Sequence, residues 1–483
     1  MLFNSAVYIF LFLPVVVLAY FALNRTGYPV IAKAWLVLAS LFFYGYWNPV
    51  YLPLIILSIL VNYRIGDMLN SRSGTDRTIN GERRRRKLIL TAGIVFNLGL
   101  LGYFKYADFF IVNLNALTAA ELSLLHLALP LAISFFTFQQ IAFIVDCYHD
   151  RAAEHDFLSY CLFVTFFPQL IAGPIVRHHE MMPQFMSSQN HRINLNNIVT
   201  GLVIFSIGLF KKVIIADSLA VWADAGFDRD ITLSFLEAWG TSLSYTFQLY
   251  YDFSGYTDMA IGAALLLNIR LPVNFDSPYK AVSIRDFWRR WHITLSHWLR
   301  DHVYIPLGGN RTGTLRISAN LFMTFLLGGR WHGAGWTFVA WGALHGTAMV
   351  VHRQWQQLNI RLPVYAGWFI TFLFINITWV FFRATSFHDA SRVLAGMFGL
   401  NGLPAAATVP AMIPDQAAAW IAVFALMAFL APNSVRIIRY VPVPAGTGFT
   451  PRLGMAVATG LLAGIALSGL LATKGSEFLY FNF

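Results

Sequence analysis

Two histidines, His332 and His345, lie in the stretch Gly-Gly-Arg-Trp-His-Gly-Ala-Gly-Trp-Thr-Phe-Val-Ala-Trp-Gly-Ala-Leu-His-Gly at residues 328–346. The surroundings are apolar enough to sit in a membrane. An ionisable group at that depth loses its hydration, so it ordinarily faces a polar cavity and marks a transport path or a reactive centre. A neutral imidazole there can take a proton from an attacking hydroxyl and return it to a leaving group, with a pKa close to working pH. That chemistry suits acyl transfer. The competing reading of His332 is a hydrogen-bonded core residue, and for His345 the two readings stay level. Gly333, Ala334 and Gly335 leave backbone room for a substrate, while Gly342 and Gly346 form a small-xxx-small pair whose simplest role is close helix packing.

A second polar group precedes this one. Gln248, Asp252, Ser254, Asp258, Asn268, Arg270, Asn274 and Asp276 interrupt apolar residues. Gln248 and Asp252 are spaced i, i+4, with Asp258 further along, so a helix can turn several of them toward one interior space. Asp252 and Asp258 either orient reacting groups or pair helices. Next comes Arg285-Asp286-Phe287-Trp288-Arg289-Arg290-Trp291-His292, aromatic and basic together, as at a membrane interface. Arg285 and Arg289 share a helical face, and Asp286 can neutralise Arg290 at the same spacing. With Arg300 they can rim a site for an anion such as the phosphates of coenzyme A; topology anchoring explains them as well.

Other chemistries lack support. Among 13 histidines there is no HExxH, and His292, His297 and His302 are rotated about 140 degrees apart on a helix, so they share no ligand face. No metal site is expected, and His178-His179-Glu180 reads as a solvated cluster. Neither a phosphate loop nor a G-x-S-x-G elbow occurs. The two cysteines, Cys147 and Cys161, form no paired motif.

These residues must be held by membrane helices. Of the 483 residues 57% are hydrophobic and 12% charged, too apolar for a soluble domain of this size. About eleven apolar runs approach the length needed to span a bilayer, and we expect one all-α polytopic membrane domain over 1–483. The net charge of +11 comes from Lys and Arg at helix ends and in loops, where topology signals lie, so no nucleic-acid partner is expected. The first run, Leu2–Leu23, has its basic residues after it, which argues for a retained helix with its N-terminus outside. Arg25 and the basic stretch Arg72–Lys87 then fall on one side, the cytoplasm. The segment Phe157–Ile175 holds Pro168, Gly173 and Pro174, and is either a broken, re-entrant segment or a helix followed by a loop. Pro404–Pro414 reads as a loop, and the aromatic terminus as an interfacial belt or a plug.

The motifs now add up. Phe167-Pro168-Gln169-Leu170-Ile171-Ala172-Gly173-Pro174-Ile175, Tyr251-Asp252-Phe253-Ser254-Gly255-Tyr256-Thr257-Asp258-Met259-Ala260, Asn274-Phe275-Asp276-Ser277-Pro278-Tyr279, Phe287-Trp288-Arg289-Arg290-Trp291-His292 and Trp331-His332-Gly333-Ala334 follow in order. The chain resembles the membrane-bound O-acyltransferase (MBOAT) superfamily, in its bacterial alginate O-acetylation (AlgI-like) branch. The terminal Phe478-Leu479-Tyr480-Phe481-Asn482-Phe483 looks like this branch more than the D-alanyl transfer branch.

The resemblance implies an MBOAT-type ring of about eleven helices with re-entrant segments around a central funnel or tunnel, and a motif-rich catalytic core at about 157–350. His332 matches the superfamily's catalytic histidine and His292 its second polar position. Arg330 stands where relatives often carry a bulky apolar residue; pointed inward it would favour a neutral His332, and otherwise it snorkels to the interface. Trp331, Arg330, Arg285, Arg289, Arg290, Asp252 and Asp258 are the substrate-contact candidates. The implied reaction moves acetyl from cytoplasmic acetyl-CoA, a substrate and not a bound cofactor, across the bacterial inner membrane to an extracellular polysaccharide such as alginate. A relay through a periplasmic partner enzyme is preferred over direct transfer. Cellulose, teichoic acid or lipid as acceptor, and a non-enzymatic transporter or scaffold, are the alternatives.

Overall fold

Apolar side chains facing lipid force the backbone to satisfy its own hydrogen bonds, and the chain responds with helices. The computed structural model describes residues 1–70, 80–118, 120–152, 156–311, 313–402, 415–438, 453–472 and 476–479, and their regular structure is helical throughout. Pro404–Pro414 and the terminal Tyr480–Phe483 lie outside the described residues. Contacts group the chain into two compact units, one mainly Met1–Phe205 with Met259–Pro272, the other Ser206–Asp258, Val273–Thr447 and Arg452–Phe483.

The first unit holds α1 (Leu13–Arg25), α2 (Pro29–Gly45), α3 (Leu52–Asn70), α4 (Asn80–Leu101), α5 (Ala107–Thr118), α6 (Ile133–Tyr148), α7 (Phe157–Thr165), α8 (Phe167–Leu170), α9 (His178–Met186) and most of α10 (Leu195–Phe210). Of the basic stretch Arg72–Lys87, residues 72–79 lie outside the described ones; Arg83 to Lys87 are helical, forming the start of α4, and Arg86 donates to the Tyr148 carbonyl at 2.9 Å and to Asp150 at 3.1 Å. Long basic side chains can leave a helix end while their backbone stays in it.

The segment Phe157–Ile175 is broken and buried. Pro168 has no N–H to continue α7, so the chain turns at Phe166 and restarts with the proline in the first turn of α8. The carbonyl of Phe163 is taken up by the Gln169 amide at 2.8 Å, and the Phe167 N–H by the Ser40 hydroxyl at 3.1 Å. Protein groups satisfy the break, as membrane depth requires. Gly173 permits the tight return, since a Cβ there would lie 2.4 Å from the Gln169 Cα.

The second unit holds α11 (Asp217–Phe227), most of α12 (Phe235–Leu266), α13 (Ile284–Trp288), α14 (Ile293–Leu299), α15 (Thr314–His332), α16 (Trp336–Gln357), α17 (Val364–Arg383), α18 (Phe387–Met397), α19 (Asp415–Leu430), α20 (Ser434–Ile437) and α21 (Leu453–Ala472). Six stretches are long and apolar enough to cross a bilayer: Tyr8–Arg25, Pro49–Asn70, Gly81–Thr118, Leu195–Phe227, Val364–Arg383 and Leu453–Ala472. Pro29–Gly45, Ile133–Tyr148 and Gln416–Leu430 are shorter apolar helices. The polar α12 falls outside both groups because it faces protein: every residue from Ser244 to Ile269 is buried.

Helices α15 and α16 form a hairpin with His332 at its turn. A Cβ on Gly329 would sit 2.8 Å from the Gly342 Cα, and one on Gly342 would sit 2.6 Å from the Phe325 carbonyl oxygen. Gly346 meets the Phe322 backbone in the same way, at 3.0 Å. The small residues thus let two backbones touch, which is the packing role expected of them.

Candidate active site

His332 ends α15, where Gly333 breaks the helix, and is 4% exposed. Aromatic rings enclose it: Trp331 at 4.9 Å, Trp341 at 5.2 Å and Phe382 at 5.1 Å between centroids. The room expected over Gly333 is filled, because a Cβ there would strike the Phe338 ring at 2.1 Å. Substrate cannot approach the backbone from that side.

Access comes from another direction. A cavity of about 220 Å³ is lined by His332 with Leu321, Thr324, Phe325 and Gly328 of α15, and by Leu295, Ser296, Leu299, Arg300 and Tyr304 of the facing segment, with Trp288 and Trp341 closing it. On α15 the lining positions recur every three or four residues, one helical stripe. The two walls are antiparallel: Gly328 abuts Leu299, and Asn320 bonds to Gly309. Leu321 to His332 therefore spans about 16 Å of helix, with Tyr304 toward one end, His332 at the other and Arg300, next to Leu299, between them. Arg300 is 54% exposed and pairs with Asp301 at 2.7 Å. Near the His332 end the buried Ser296 hydroxyl and the Trp341 indole nitrogen have no hydrogen-bond partner among the described residues. Leaving such groups unpaired costs about 1–3 kcal/mol each, so a ligand able to bond them is favoured.

His292 lies beside this cavity and does not line it. It is fully buried and precedes α14 in the left-handed region, φ 41° and ψ 55°, a conformation costly for a residue with a Cβ. Phe253 packs edge-on against its ring at 4.8 Å, and the Trp331 ring is near both histidines, 6.4 Å from His292 and 4.9 Å from His332 between centroids. The structure thus groups His292, Trp331 and His332. Arg330 turns back and donates to the Gly333 carbonyl at 3.0 Å, closing the end of α15.

The remaining candidates lie elsewhere. Arg290 is held by Asp286 at 2.9 Å, the pairing expected from spacing, and donates to the Asp276 carbonyl at 3.3 Å. Arg285 and Arg289 are exposed, and none of the three lines the His332 cavity. Asp258 accepts from Lys211 at 2.7 Å and from Ser434 at 2.8 Å. Asp252, 1% exposed, accepts from Lys212 at 2.6 Å and from the Leu479 N–H at 3.0 Å. Both carboxylates are engaged in helix and tail pairing, and neither lines the cavity.

Lys211 and Lys212 went unread in the sequence. They open a widened π-turn, Lys211–Ala216, which continues α10 into α11. Two lysines within an apolar helix were the available signal. Lys212 also reaches Asp217 at 2.9 Å, the Ser476 hydroxyl at 2.7 Å and the Glu477 carbonyl at 3.0 Å, clamping the chain's last described residues. There Phe478 stacks on Tyr256 at 4.5 Å and leans on Phe253, the ring against His292.

His345 is resolved by its bonds. The Trp288 indole N–H donates to Nδ1 at 3.2 Å, and Nε2 meets the Thr378 hydroxyl at 3.2 Å, whose own proton goes to the Ile375 carbonyl at 2.9 Å. With Nδ1 accepting, Nε2 carries the proton, so both ring nitrogens are satisfied. His345→Gln should lower thermal stability by about 1–3 kcal/mol while leaving turnover per folded molecule nearly unchanged. A large loss of turnover at normal stability would refute that assignment.

Comparisons with known proteins place the chain among its relatives. The family model described as MBOAT, membrane-bound O-acyltransferase family, matches residues 150–388. The chain is 52% identical over 433 residues to a peptidoglycan O-acetyltransferase of Helicobacter pylori, covering 83% of this chain and 81% of that one. It is 42% identical over 412 residues to a probable alginate O-acetylase AlgI of Azotobacter vinelandii, covering 83% and 79%. A teichoic acid D-alanyltransferase of Streptococcus thermophilus is more distant, 28% identical over 47% of this chain and 57% of its own.

Proposed function

Because this chain belongs to the membrane-bound O-acyltransferase family, in its AlgI-like branch, and is an O-acyltransferase, we propose that it moves acetyl from a cytoplasmic thioester, acetyl-CoA, toward a cell-envelope polysaccharide outside a bacterial inner membrane. The observation that carries this reading is the largely apolar cavity of about 220 Å³ lined both by His332 and by the half-exposed Arg300. A flexible thioester arm fits such a passage, with its phosphates held back at the cation. Of the four arginines considered for holding the anion, Arg300 is the one that lines this cavity.

In this reading the N-terminus is periplasmic. Within the α15–α16 hairpin, Arg311, Arg316, Arg353 and Arg361 all lie toward the end opposite His332, and the positive-inside rule turns that end of the hairpin to the cytoplasm.

At His332 the acceptor hydroxyl oxygen attacks the acetyl carbonyl carbon while its proton passes to the imidazole. The carbon–sulfur bond then breaks, and the sulfur takes that proton and leaves as free thiol. The Ser296 hydroxyl and the Trp341 N–H donate to the carbonyl oxygen as it gains charge. His292 and Trp331 fix the position of the reacting ring. The first acceptor belongs to a carrier or periplasmic partner, which then decorates the polymer. The greater identity to the peptidoglycan relative, 52% against 42% for the alginate one, favours glycan strands of peptidoglycan over alginate as that polymer.

The test is coenzyme A release by the purified protein from acetyl-CoA, with peptidoglycan fragments, alginate and periplasmic extract added in turn. Acceptor-dependent release is expected, and silence under every addition would sink the proposal. Ser296→Ala should lower kcat by about tenfold or more with little change in KM, since its bond strengthens only as the carbonyl oxygen becomes negative. An equal rise in KM with kcat unchanged would assign Ser296 to ground-state binding alone.

A further inference from the structure

We propose that the groove between α16 and α17 is a binding site for one anionic glycerophospholipid, its acyl part along α17 and its phosphate at His352 and Arg361. The groove has a volume of about 700 Å³, inside the range of ligand sites. It is separate from the cavity at His332 and shares no lining residue with it.

Three observations select the occupant. The floor is apolar and open, with Val351 54% exposed and Ile370 53% exposed, surface that water would not tolerate in a patch of this extent. Its long axis follows α17 from Val364 to Phe374, about 15 Å of helix, which is half of a hydrocarbon core of about 30 Å and so the depth of one leaflet. The fixed positive charge comes from Arg361, which lines the groove in the loop between α16 and α17, and from Arg285, which acts electrostatically on His352 further along α16; no carboxylate is among the lining residues. Nε2 of His352 is buried without a hydrogen-bond partner among the described residues, ready to meet a phosphate oxygen. Trp355, whose indole bonds to the Ile360 carbonyl at 2.9 Å, lies at the same level, where interfacial aromatics belong. A zwitterionic lipid would bring its own cation to this rim, whereas a net anion gains from it.

Native mass spectrometry of the delipidated, detergent-purified full chain tests the site, with phosphatidylglycerol, cardiolipin or phosphatidylcholine titrated in. We expect one phosphatidylglycerol retained about tenfold more tightly than phosphatidylcholine. Cardiolipin retained better still would identify a four-chain ligand of the same chemistry. Arg361→Gln with His352→Gln should abolish the selectivity, and Val351→Trp, which fills the floor, should reduce retention of every lipid. Arg361 is exposed and His352 half-buried, so the first pair reads the site even where the tryptophan variant does not fold. Equal retention of anionic and zwitterionic lipid, unaltered retention in the rim variant, or displacement of the lipid by coenzyme A at equal stoichiometry would each overturn the proposal. Coenzyme A release plays no part in this readout, so its outcome is independent of the acyl-transfer reading.

Discussion

His332→Ala is expected to reduce acceptor-dependent coenzyme A release from acetyl-CoA by about 10²- to 10⁴-fold, the range set by removing a positioned general base. The ring is enclosed by Trp331, Trp341 and Phe382 and forms the inner end of the cavity, so no second imidazole can take its place there. His345, 4.6 Å from Trp341 between ring centroids, is tied to Trp288 and Thr378. His292 does not line the cavity, and its ring lies 6.4 Å from that of Trp331. The substitution also removes buried ring packing, so release must be normalised to folded protein by thermal unfolding and elution profile. Turnover within a few-fold of wild type would exclude His332 from the proton transfer and leave the cavity as a passage only.

The second large effect is expected at Lys212. Its side chain is 4% exposed, and the ammonium holds Asp252, Asp217, Ser476 and the Glu477 carbonyl together. Lys212→Met leaves the Asp252 carboxylate buried beside an apolar side chain, a change that costs about 3–5 kcal/mol when one partner of a buried pair is removed. The double variant Lys212→Met with Asp252→Leu should recover most of that stability, since apolar replacement of both partners is often near neutral. It should not recover turnover. With Asp252 gone, the Leu479 N–H loses its acceptor, and Phe478 is no longer held against Phe253 and His292. The measurements are the unfolding midpoint, coenzyme A release and carboxypeptidase sensitivity of the C-terminus. A double variant restored in both stability and turnover would show the clamp to be packing with no hold on the site.

These two sites differ in how much of them the sequence carried. His332 was legible because a histidine in a lipid-compatible stretch pays a desolvation cost that packing alone does not repay. The family motifs fixed the membrane helices and the reaction class for the same kind of reason: the residue types themselves are informative. Pro168 was legible as a break because a missing N–H acts wherever the chain goes. The pairing of Asp286 with Arg290 followed from helical spacing alone.

Spacing within one helix names the residues that share a face; it does not say what that face meets. Asp252 and Asp258 had the polarity of substrate ligands, and only tertiary packing gave them Lys212 and Lys211. The clamp joins Lys212 to Ser476 across 264 residues, a separation over which no local pattern carries information. Arg285, Arg289 and Arg290 had the charge for a donor site, yet the cavity opens near Arg300 because α14 runs antiparallel to α15 with Leu299 against Gly328. Gly333 promised room until the Phe338 ring, five residues on, folded over it. Sequence by itself determined the membrane class, the family and the reaction class, and singled out His332 as the candidate histidine, because these rest on local chemistry and solvation. Tertiary structure alone decided which polar groups are consumed by one another and which are left facing a cavity, because that depends on helix faces brought together from distant parts of the chain.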